Sequence, residues 1–257
     1  MEIVENYENN IKNGYFIQKW NNGKICEGYY INNEMSGWGH LDNLEIDIRG
    51  YFHKGILEGY GEVYNKVENI KYKGYWKNGI LDGIGIQFDE NCLYEGEFIN
   101  SKINGIGSQI YVEENEKYEG EWKNGVYEGF GMYYYSSGIK YIGHFKNNSK
   151  EGIGELILDN GKKFFGFFKE DSRYGLGIYL NEKQNISICF YKGDKKDVAE
   201  KNIINKTKIS YKKWENNKYQ IFNEKEFFDL LKSENKEKYI SIFKLDFDGV
   251  IQFIDVI

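Results

Sequence analysis

Proline is absent from this 257-residue sequence, and cysteine is scarce, with only three residues. Cys26, Cys92 and Cys189 lie far apart in the sequence, and none belongs to a Cys-x-x-Cys pair. This spacing argues against a disulfide framework and against a thiolate metal site. We therefore expect three small, buried thiols in a protein of a reducing compartment.

Histidine is equally rare. His40, His53 and His144 occupy unrelated positions, and neither an H-x-x-x-H pair nor a matched cysteine accompanies them. A metal site of the zinc type needs several such ligands at a suitable spacing. We therefore expect neither a metal nor a cofactor.

Long apolar runs are also missing. The opening residues, MEIVENYENNIKNG, contain neither the basic n-region nor the apolar h-region of a signal peptide, and no later stretch has the length that spans a bilayer. The net charge is −6, and residues 1–197 carry 23 basic and 30 acidic side chains. An acidic balance argues against a nucleic-acid partner and against attraction to an anionic membrane. We expect a cytoplasmic protein.

Glycine, by contrast, is abundant and regularly spaced. The block YEGEWKNGVYEGFG at residues 118–131 recurs, with variations, along the chain. Its first glycine returns every 22 to 24 residues, at Gly28, Gly50, Gly74, Gly96, Gly120, Gly143 and Gly166. A second glycine follows nine residues later, at Gly37, Gly59, Gly83, Gly105, Gly129, Gly152 and Gly175, and a third follows two residues after that. This constant spacing indicates a repeat protein.

Large aromatic residues stand two positions before and two positions after the first glycine, as Tyr118 and Trp122 do around Gly120. At strand periodicity these three residues share one face, whereas Glu119 and Glu121 share the other. Glycine between two rings leaves a gap that an aromatic side chain can fill. Tight hairpin turns are predicted at Asn22-Gly23, Ser137-Gly138 and Asn160-Gly161. Each period is therefore predicted to form two antiparallel strands.

The block resembles the MORN (membrane occupation and recognition nexus) repeat pattern, YEGEWKNGxxxGxG, which residues 118–131 match nearly letter for letter. The resemblance covers residues 7–194, with seven clear copies, a half-copy at 7–14 and a decayed copy at 187–194. It implies an all-β repeat, an elongated single-layer sheet of stacked antiparallel β-hairpins. MORN proteins typically serve as scaffolds, dimerisation modules and adaptors associated with membranes or the cytoskeleton, sometimes attached to an enzyme.

A scaffold of this kind is expected to bind a protein partner, or a second copy of itself, in an aromatic-lined groove. The candidate groove residues are the rings that flank the first glycines: Tyr72, Trp76, Tyr94, Phe98, Tyr118, Trp122, Tyr141, Phe145, Phe164 and Phe168. Localisation is expected to be cytoplasmic, with attachment to the cytoskeleton or a membrane left open.

Lipid binding is the alternative that the family raises. The MORN pattern often has a basic residue or histidine just before its second glycine, but here that position is held by Ser36, Glu58, Asp82, Asn104, Glu128, Glu151 and Tyr174. Four acids among seven residues do not favour membrane association by charge. A stripe that attracts phosphate remains open through the loop lysines Lys77, Lys123, Lys146 and Lys169.

The last sixty residues differ in composition, since glycine nearly vanishes after Gly193. We divide the chain into a repeat array, 1–197, and a small α+β module, 198–257, that caps it. Asn223 and Glu226 predict a capping box, followed by a helix to about residue 235. Its apolar stripe of Phe227, Phe228, Leu230 and Leu231 is expected to cover the last hairpin. Residues 208–214 and 240–257 are predicted to be extended, with a hairpin turn at Asp248-Gly249.

The segment LDFDGVI at residues 245–251 has two further interpretations. It is similar to the opening motif of haloacid-dehalogenase-like phosphatases, in which carboxylates at the Asp246 and Asp248 positions attack phosphorus and shuttle a proton. It also fits part of an EF-hand loop, with Asp246, Asp248, Gly249 and Asp255 at the third, fifth, sixth and twelfth positions. The first EF-hand ligand would be Lys244, and the later phosphatase motifs are missing. A plain hairpin is therefore preferred.

Two hypotheses for function follow. The preferred one is a non-enzymatic scaffold that binds a protein or itself through the repeats. The alternative is an enzyme, or a lipid-associated adaptor, in which the repeats localise a functional C-terminal module. No pair of acids, histidines or cysteines in the repeats has the spacing of a catalytic site.

Overall fold

The computed structural model describes residues 2–4, 7–8, 10–183, 185–215 and 218–256. The strands are β1 (Glu2–Val4), β2 (Tyr7–Glu8), β3 (Ile11–Lys12), β4 (Gly14–Lys19), β5 (Ile25–Ile31), β6 (Glu34–Asp42), β7 (Ile46–His53), β8 (Ile56–Asn65), β9 (Ile70–Lys77), β10 (Ile80–Phe88), β11 (Cys92–Ile99), β12 (Lys102–Tyr111), β13 (Glu116–Lys123), β14 (Val126–Tyr134), β15 (Lys140–Lys146), β16 (Ser149–Ile157), β17 (Lys163–Lys169), β18 (Ser172–Leu180), β19 (Ile186–Lys192), β20 (Lys195–Ile204), β21 (Lys208–Glu215) and β22 (Lys218–Phe222). The helices are α1 (Glu224–Ser233), α2 (Ile240–Lys244) and α3 (Phe247–Val256), with a 3-10 turn at Glu237–Tyr239.

The chain divides into two compact units, unit 1 (Met1–Val126) and unit 2 (Tyr127–Ile257). In unit 1, β4 to β13 pair in sequence order, each antiparallel to the next, and β1 pairs with β4. The half-copy at 7–14 contains the short β2–β3 hairpin, and its Asn9 lies outside the described residues. In unit 2, β14 to β22 pair in the same way.

The predicted all-β repeat of two strands per period is confirmed. A first glycine lies directly opposite a third glycine on both neighbouring strands at Gly50, Gly74, Gly96, Gly143 and Gly166, as Gly96 lies opposite Gly85 and Gly107. In the first copy Gly28 lies opposite Gly39 on one side and Phe16 on the other. Beside this column the register shifts by a β-bulge, for example between Gly96 and Glu97. A bulge bends its strand and increases the local twist. The repeat therefore fixes both the glycine alignment and the positions at which the strands bend.

The three predicted turns are also confirmed. Gly23, Gly138 and Gly161 have φ values of 85°, 84° and 72°, which glycine adopts without steric cost. In each turn the glycine N–H donates to the carbonyl oxygen three residues earlier, at 3.0 Å. The opposite ends of the hairpins turn at residues such as Asn124 and Gly125, which both have positive φ.

The sheet continues past the last clear repeat. In the decayed copy, Cys189 of β19 lies opposite Gly177, so it occupies a first-glycine position. The step from residue 197 to residue 198 lies inside β20, and the division of the chain at that step stays a prediction. The extended segment predicted at 208–214 is β21. Residues 198–257 therefore combine strands with helices, as expected for an α+β cap.

The predicted capping box begins α1. The Asn223 side chain accepts a hydrogen bond from the Glu226 N–H, and the Glu226 side chain accepts one from the Asn223 N–H. Phe227 and Leu231, one helical turn apart, are completely buried. They belong to one apolar cluster with Leu176, Ile178, Ile186, Ile188, Phe190, Ala199, Ile203, Tyr211, Phe243 and Val250. The α1 stripe therefore packs on the face of the sheet around β18 to β21.

The predicted hairpin at Asp248-Gly249 is wrong, because residues 240–244 and 247–256 form α2 and α3. The Asp246 side chain accepts a hydrogen bond of 2.8 Å from the Gly249 N–H, and this contact caps the first turn of α3. Val250 is buried in the apolar cluster. The same capping contact accounts for Asp246 without an EF-hand loop, whose twelfth-position Asp255 has a side chain outside those described.

Candidate functional site

In each unit the predicted groove aromatics lie on one side of the strands, which we name the inner face of that unit. Eight of them are at most 5% exposed, and Tyr72 and Trp76 are half-buried. In unit 1, the Tyr94 ring meets those of Phe98 and Trp122 edge to face, with centroids 5.3 Å apart in both pairs. In unit 2, the Tyr141 ring meets Phe145 and Phe168 at 5.1 and 5.0 Å. These are favourable geometries for aromatic packing.

The absence of a side chain at the glycines leaves room for these rings. A Cβ atom on Gly107 would lie 2.3 to 2.5 Å from the Tyr94 ring and its hydroxyl oxygen, and a Cβ on Gly154 would meet Tyr141 as closely. The predicted gap beside Gly96 is thus filled, but by Tyr94 of the same strand, whose ring lies across both Gly96 and the opposite Gly107. The aromatic and glycine columns of the repeat are therefore one packing unit.

Three tyrosine hydroxyls of the inner face are hydrogen-bonded within the repeat. Tyr94, Tyr118 and Tyr141 each donate to the backbone oxygen three residues later, at 3.1, 2.9 and 3.1 Å. Burial raises the pKa of all three hydroxyls well above the usual value. The Trp122 Nε1–H donates to the Gly107 oxygen at 3.2 Å. The inner-face rings thus form a hydrogen-bonded core, and whether a partner contacts them stays a prediction.

The opposite side, which we name the outer face, carries apolar residues that are exposed. The middle residue of each G-x-G is apolar in all seven copies: Trp38, Tyr60, Ile84, Ile106, Phe130, Ile153 and Leu176. The first six are 40% to 61% exposed, whereas Leu176 is 6% exposed. A solvated strand face normally alternates to polar residues. An apolar residue at this position in every copy therefore marks the outer face as a candidate interaction surface.

In the first repeats a second aromatic column strengthens this surface. The residue after the first glycine is Tyr29, Tyr51 or Tyr75, where the best-matching copy has Glu121. Tyr51 lies opposite Trp38, and Tyr75 lies opposite Tyr60 with ring centroids 5.6 Å apart. We name the exposed set in unit 1 the outer stripe: Tyr29, Trp38, Tyr51, Tyr60 and Tyr75.

The outer stripe is not among the residues predicted from the sequence. In the copy at 118–131 the outward face carries Glu119 and Glu121, which are typical of a solvated surface. A comparison of the copies column by column would have found three tyrosines at the Glu121 position. The signal was therefore present in the differences between copies rather than in their common pattern.

The acids just before the second glycine have a structural role. The carboxylates of Glu58, Asp82, Glu128 and Glu151 accept hydrogen bonds of 2.7 to 3.2 Å from the backbone N–H of a turn residue in the following hairpin. The donors are Asn78, Asn100, Asn147 and Glu170, all with φ near +50°. Side chains at this position therefore hold one hairpin turn to the next.

We expect Glu58→Ala to lower the free energy of unfolding by ~0.5–1.5 kcal/mol, the usual contribution of a hydrogen bond. Its carboxylate accepts from the Asn78 N–H at 2.7 Å, and alanine removes that acceptor. Glu58→Gln keeps an acceptor oxygen and is the matched control, with a smaller expected loss. Urea denaturation of the two variants measures the difference. Equal losses in both would show that the charge, rather than the contact, matters.

Among the residues that the structure describes, His40, Asp42 and Asp47 form one group with the ligand atoms of a metal site. The β6–β7 register brings them together by placing Asp42 opposite Asp47. His40 Nε2 lies 3.1 Å from Asp47, whose other oxygen is 2.9 Å from Arg49 Nη2. Lys66 Nζ pairs with Asp42. Because both carboxylates already pair with cations, we assign no metal here.

Buried reactive groups in unit 2 are likewise bound within the fold. Glu200 accepts hydrogen bonds from Ser187, Lys196 and the Trp214 Nε1–H. These donors hold its pKa below the usual value although burial acts to raise it. Lys201 Nζ donates to the backbone oxygens of Phe243 and Leu245, both at 2.7 Å. These contacts tie β20 to α2.

The three cysteines are free thiols; Cys189 is buried, and Cys26 and Cys92 are half-buried. Burial raises the pKa of the Cys189 thiol to about 12, so it stays protonated and poorly nucleophilic at neutral pH.

None of the helices in the described part of the chain has the length and apolarity needed to cross a membrane. No curated protein matches the chain. Among solved structures, it is similar to the wild-type TCP10 domain of Danio rerio CPAP, with 7% identity, a TM-score of 0.46, and coverage of 80% of this chain and 97% of that one. A second is the TCP domain of Drosophila melanogaster SAS-4 (dCPAP) in complex with a proline-rich motif of Ana2 (dSTIL), with 12% identity, a TM-score of 0.39, and coverage of 60% and 83%.

The family model of the MORN repeat matches four consecutive segments, residues 72–89, 94–114, 118–140 and 141–163. Each segment contains the strand pair, glycine column and inner-face rings described above. Residues 72–163 of the chain therefore contain MORN repeats.

Proposed function

We propose that this protein is a non-enzymatic scaffold, which binds a protein partner or a second copy of itself through the outer stripe of unit 1. The observation that carries the proposal is the exposure of the five stripe residues, which ranges from 43% to 56%. Contiguous apolar surface of this kind marks interaction sites on soluble proteins. Tyrosine and tryptophan are also the residues that protein interfaces enrich.

The dimensions of the stripe suit a protein ligand. Its residues lie on five adjacent strands, β5 to β9, which at ~4.8 Å per strand extend over about 19 Å. This length matches about six residues of an extended segment at ~3.3 Å per residue. The outward location also differs from the groove that the sequence predicted, because the inner-face rings are mostly buried.

Several observations support a scaffold over the alternatives. The buried Glu200 and Lys201 are engaged in hydrogen bonds that join parts of the fold. The acids before the second glycines bind backbone N–H groups of the turns, so that column offers little to a lipid phosphate. We propose a cytoplasmic location, with any attachment to the cytoskeleton or a membrane provided by the partner.

The proposal is tested by photocrosslinking. Benzoylphenylalanine replaces Tyr60 in the stripe or, as the control, Val67, which is 75% exposed in the β8–β9 connection. We expect a covalent adduct from the Tyr60 site in native lysate, its loss in the Tyr51→Ser/Tyr75→Ser background, and none from the Val67 site. An adduct of twice the chain mass would identify a second copy. The absence of any stripe-dependent adduct would refute the proposal.

A further inference from the structure

Helices cover part of the outer face of unit 2, and we name this part the α1–α2 seat. Leu176, Ile178, Ile188 and Phe190 project from β18 and β19 on this face and are buried with α1 and α2. The Phe190 ring lies 5.1 Å from that of Tyr239 and 5.6 Å from that of Phe243. Among the seven middle residues of G-x-G, Leu176 alone is covered. The amphipathic helices α1 and α2 cover it.

The apolar surface of unit 2 does not end at the helices. Phe165 of β17 lies opposite the covered Ile178, and Phe167 lies opposite Tyr174. On the next strands, Ile153 lies opposite Phe167, and Phe130 lies opposite His144. We name this surface the unit 2 patch, with Phe130, Ile153, Phe167 and Tyr174 exposed by 40% to 51% and Met132, Ile142 and Phe165 half-buried.

Two adjacent rows of apolar residues make this patch wide. One row contains Phe130, Ile153 and Phe167, interrupted by His144, and the row two residues along the strands contains Met132, Ile142 and Phe165, interrupted by Glu155, which pairs with Lys163. In unit 1 the corresponding second row is mostly charged, with Arg49, Glu62, Lys73 and Glu95, although Ile86 lies between the last two. Residues two apart on a strand are separated by ~6.6 Å, so two such rows with their side chains approach the ~10 Å width of a helix, which a single row does not.

We propose that the unit 2 patch binds an amphipathic α-helix of a partner protein, which extends the helical layer begun by α1 and α2. The proposal concerns a different surface from the outer stripe and does not rest on it. The bound helix is expected to present large apolar residues at positions i, i+4 and i+7, because Phe227 and Leu231 of α1 meet the same face at i and i+4. The patch is continuous with the α1–α2 seat, which supports a helix as the occupant.

A phage-displayed library of random 20-residue peptides, selected on the full-length chain, tests the proposal. Phe130→Ser/Phe167→Ser removes two exposed patch rings and serves for counter-selection. Tyr60→Ser/Tyr75→Ser in unit 1 is the matched control, with the same number of exposed rings removed. Circular dichroism of each variant verifies that the β-sheet is retained.

We expect the enriched peptides to have apolar residues at helical spacing and to lose at least tenfold in affinity for the patch variant, but less than twofold for the control. A proline at the centre of such a peptide should abolish binding, because it breaks a helix. Peptides that bind the patch in extended or proline-rich form, or a selection without patch-dependent binders, would overturn the proposal. Light scattering that shows a dimer lost in the patch variant would instead assign the patch to a second copy and would also overturn it.

Discussion

Replacing Trp122 by alanine is expected to lower the free energy of unfolding by ~3–5 kcal/mol, the usual range for a large aromatic residue in a core. Trp122 is 5% exposed, and its ring lies 5.3 Å from that of Tyr94 and 5.2 Å from that of Tyr118. The substitution also removes the hydrogen bond from Nε1 to the Gly107 oxygen. Gly107, which accepts this hydrogen bond, has no side chain that could move into the cavity.

The matched control is Glu121→Ala, one residue away on the same strand. Glu121 is exposed on the outer face, and its backbone oxygen, which accepts from the Tyr118 hydroxyl, remains after the change. Its expected effect is within ~0.5 kcal/mol, as for most surface substitutions. Urea denaturation followed by circular dichroism compares the two variants. Equal midpoints would mean that the inner face has been assigned to the wrong side of the sheet.

Much of the fold could be predicted because the same spacing of aromatic residues and glycines recurs in seven copies. Residues two apart on a strand share a face, so the Tyr-x-Gly-x-Trp spacing of Tyr118, Gly120 and Trp122 predicts both the strand and its buried side. The turn glycines, such as Gly138, and the capping box of Asn223 and Glu226 are local signals that need no tertiary context. All of these predictions are confirmed.

The helices after residue 239 could not be predicted in the same way. Asp248-Gly249 between apolar runs favours a hairpin, but the Asp246 side chain can equally cap a helix through Gly249. Burial decides between the two, because Phe243 and Val250 reach the apolar cluster from helices. That cluster depends on residues of β18 to β20, which are distant in sequence. A local pattern does not contain this information.

The candidate surface was missed for a related reason. A single strand cannot show whether its outward residues will be covered, and the acids of the best-matching copy made the outer face look solvated. The structure shows the same G-x-G position covered at Leu176 and exposed at Phe130 and Ile153. Only the contrast between copies reveals that the outer face can be a packing surface.

Removal of residues 223–257 is expected to convert the chain into a self-associating protein. The deletion takes away α1, α2 and α3 but leaves β18 to β22, whereas a cut after residue 197 would divide β20. It uncovers Leu176, Ile178, Ile188 and Phe190, each at most 6% exposed in the full chain. Exposing a buried side chain of this size costs ~1.5–3 kcal/mol, and joining two such faces in an oligomer recovers much of that cost.

Size-exclusion chromatography with light scattering, at equal concentrations of the full chain and residues 1–222, measures the effect. We expect a larger mass or precipitation for residues 1–222, with the β-rich circular dichroism retained because the strand pairing is untouched. Two matched controls identify the cause: Ile188→Ser/Phe190→Ser within residues 1–222 should reduce the association, and residues 223–257 supplied in trans should reverse it. If residues 1–222 keep the mass and the denaturation midpoint of the full chain, the helices contribute nothing to covering the outer face. The seat on β18 and β19 would then give no reason to expect helix binding at the unit 2 patch.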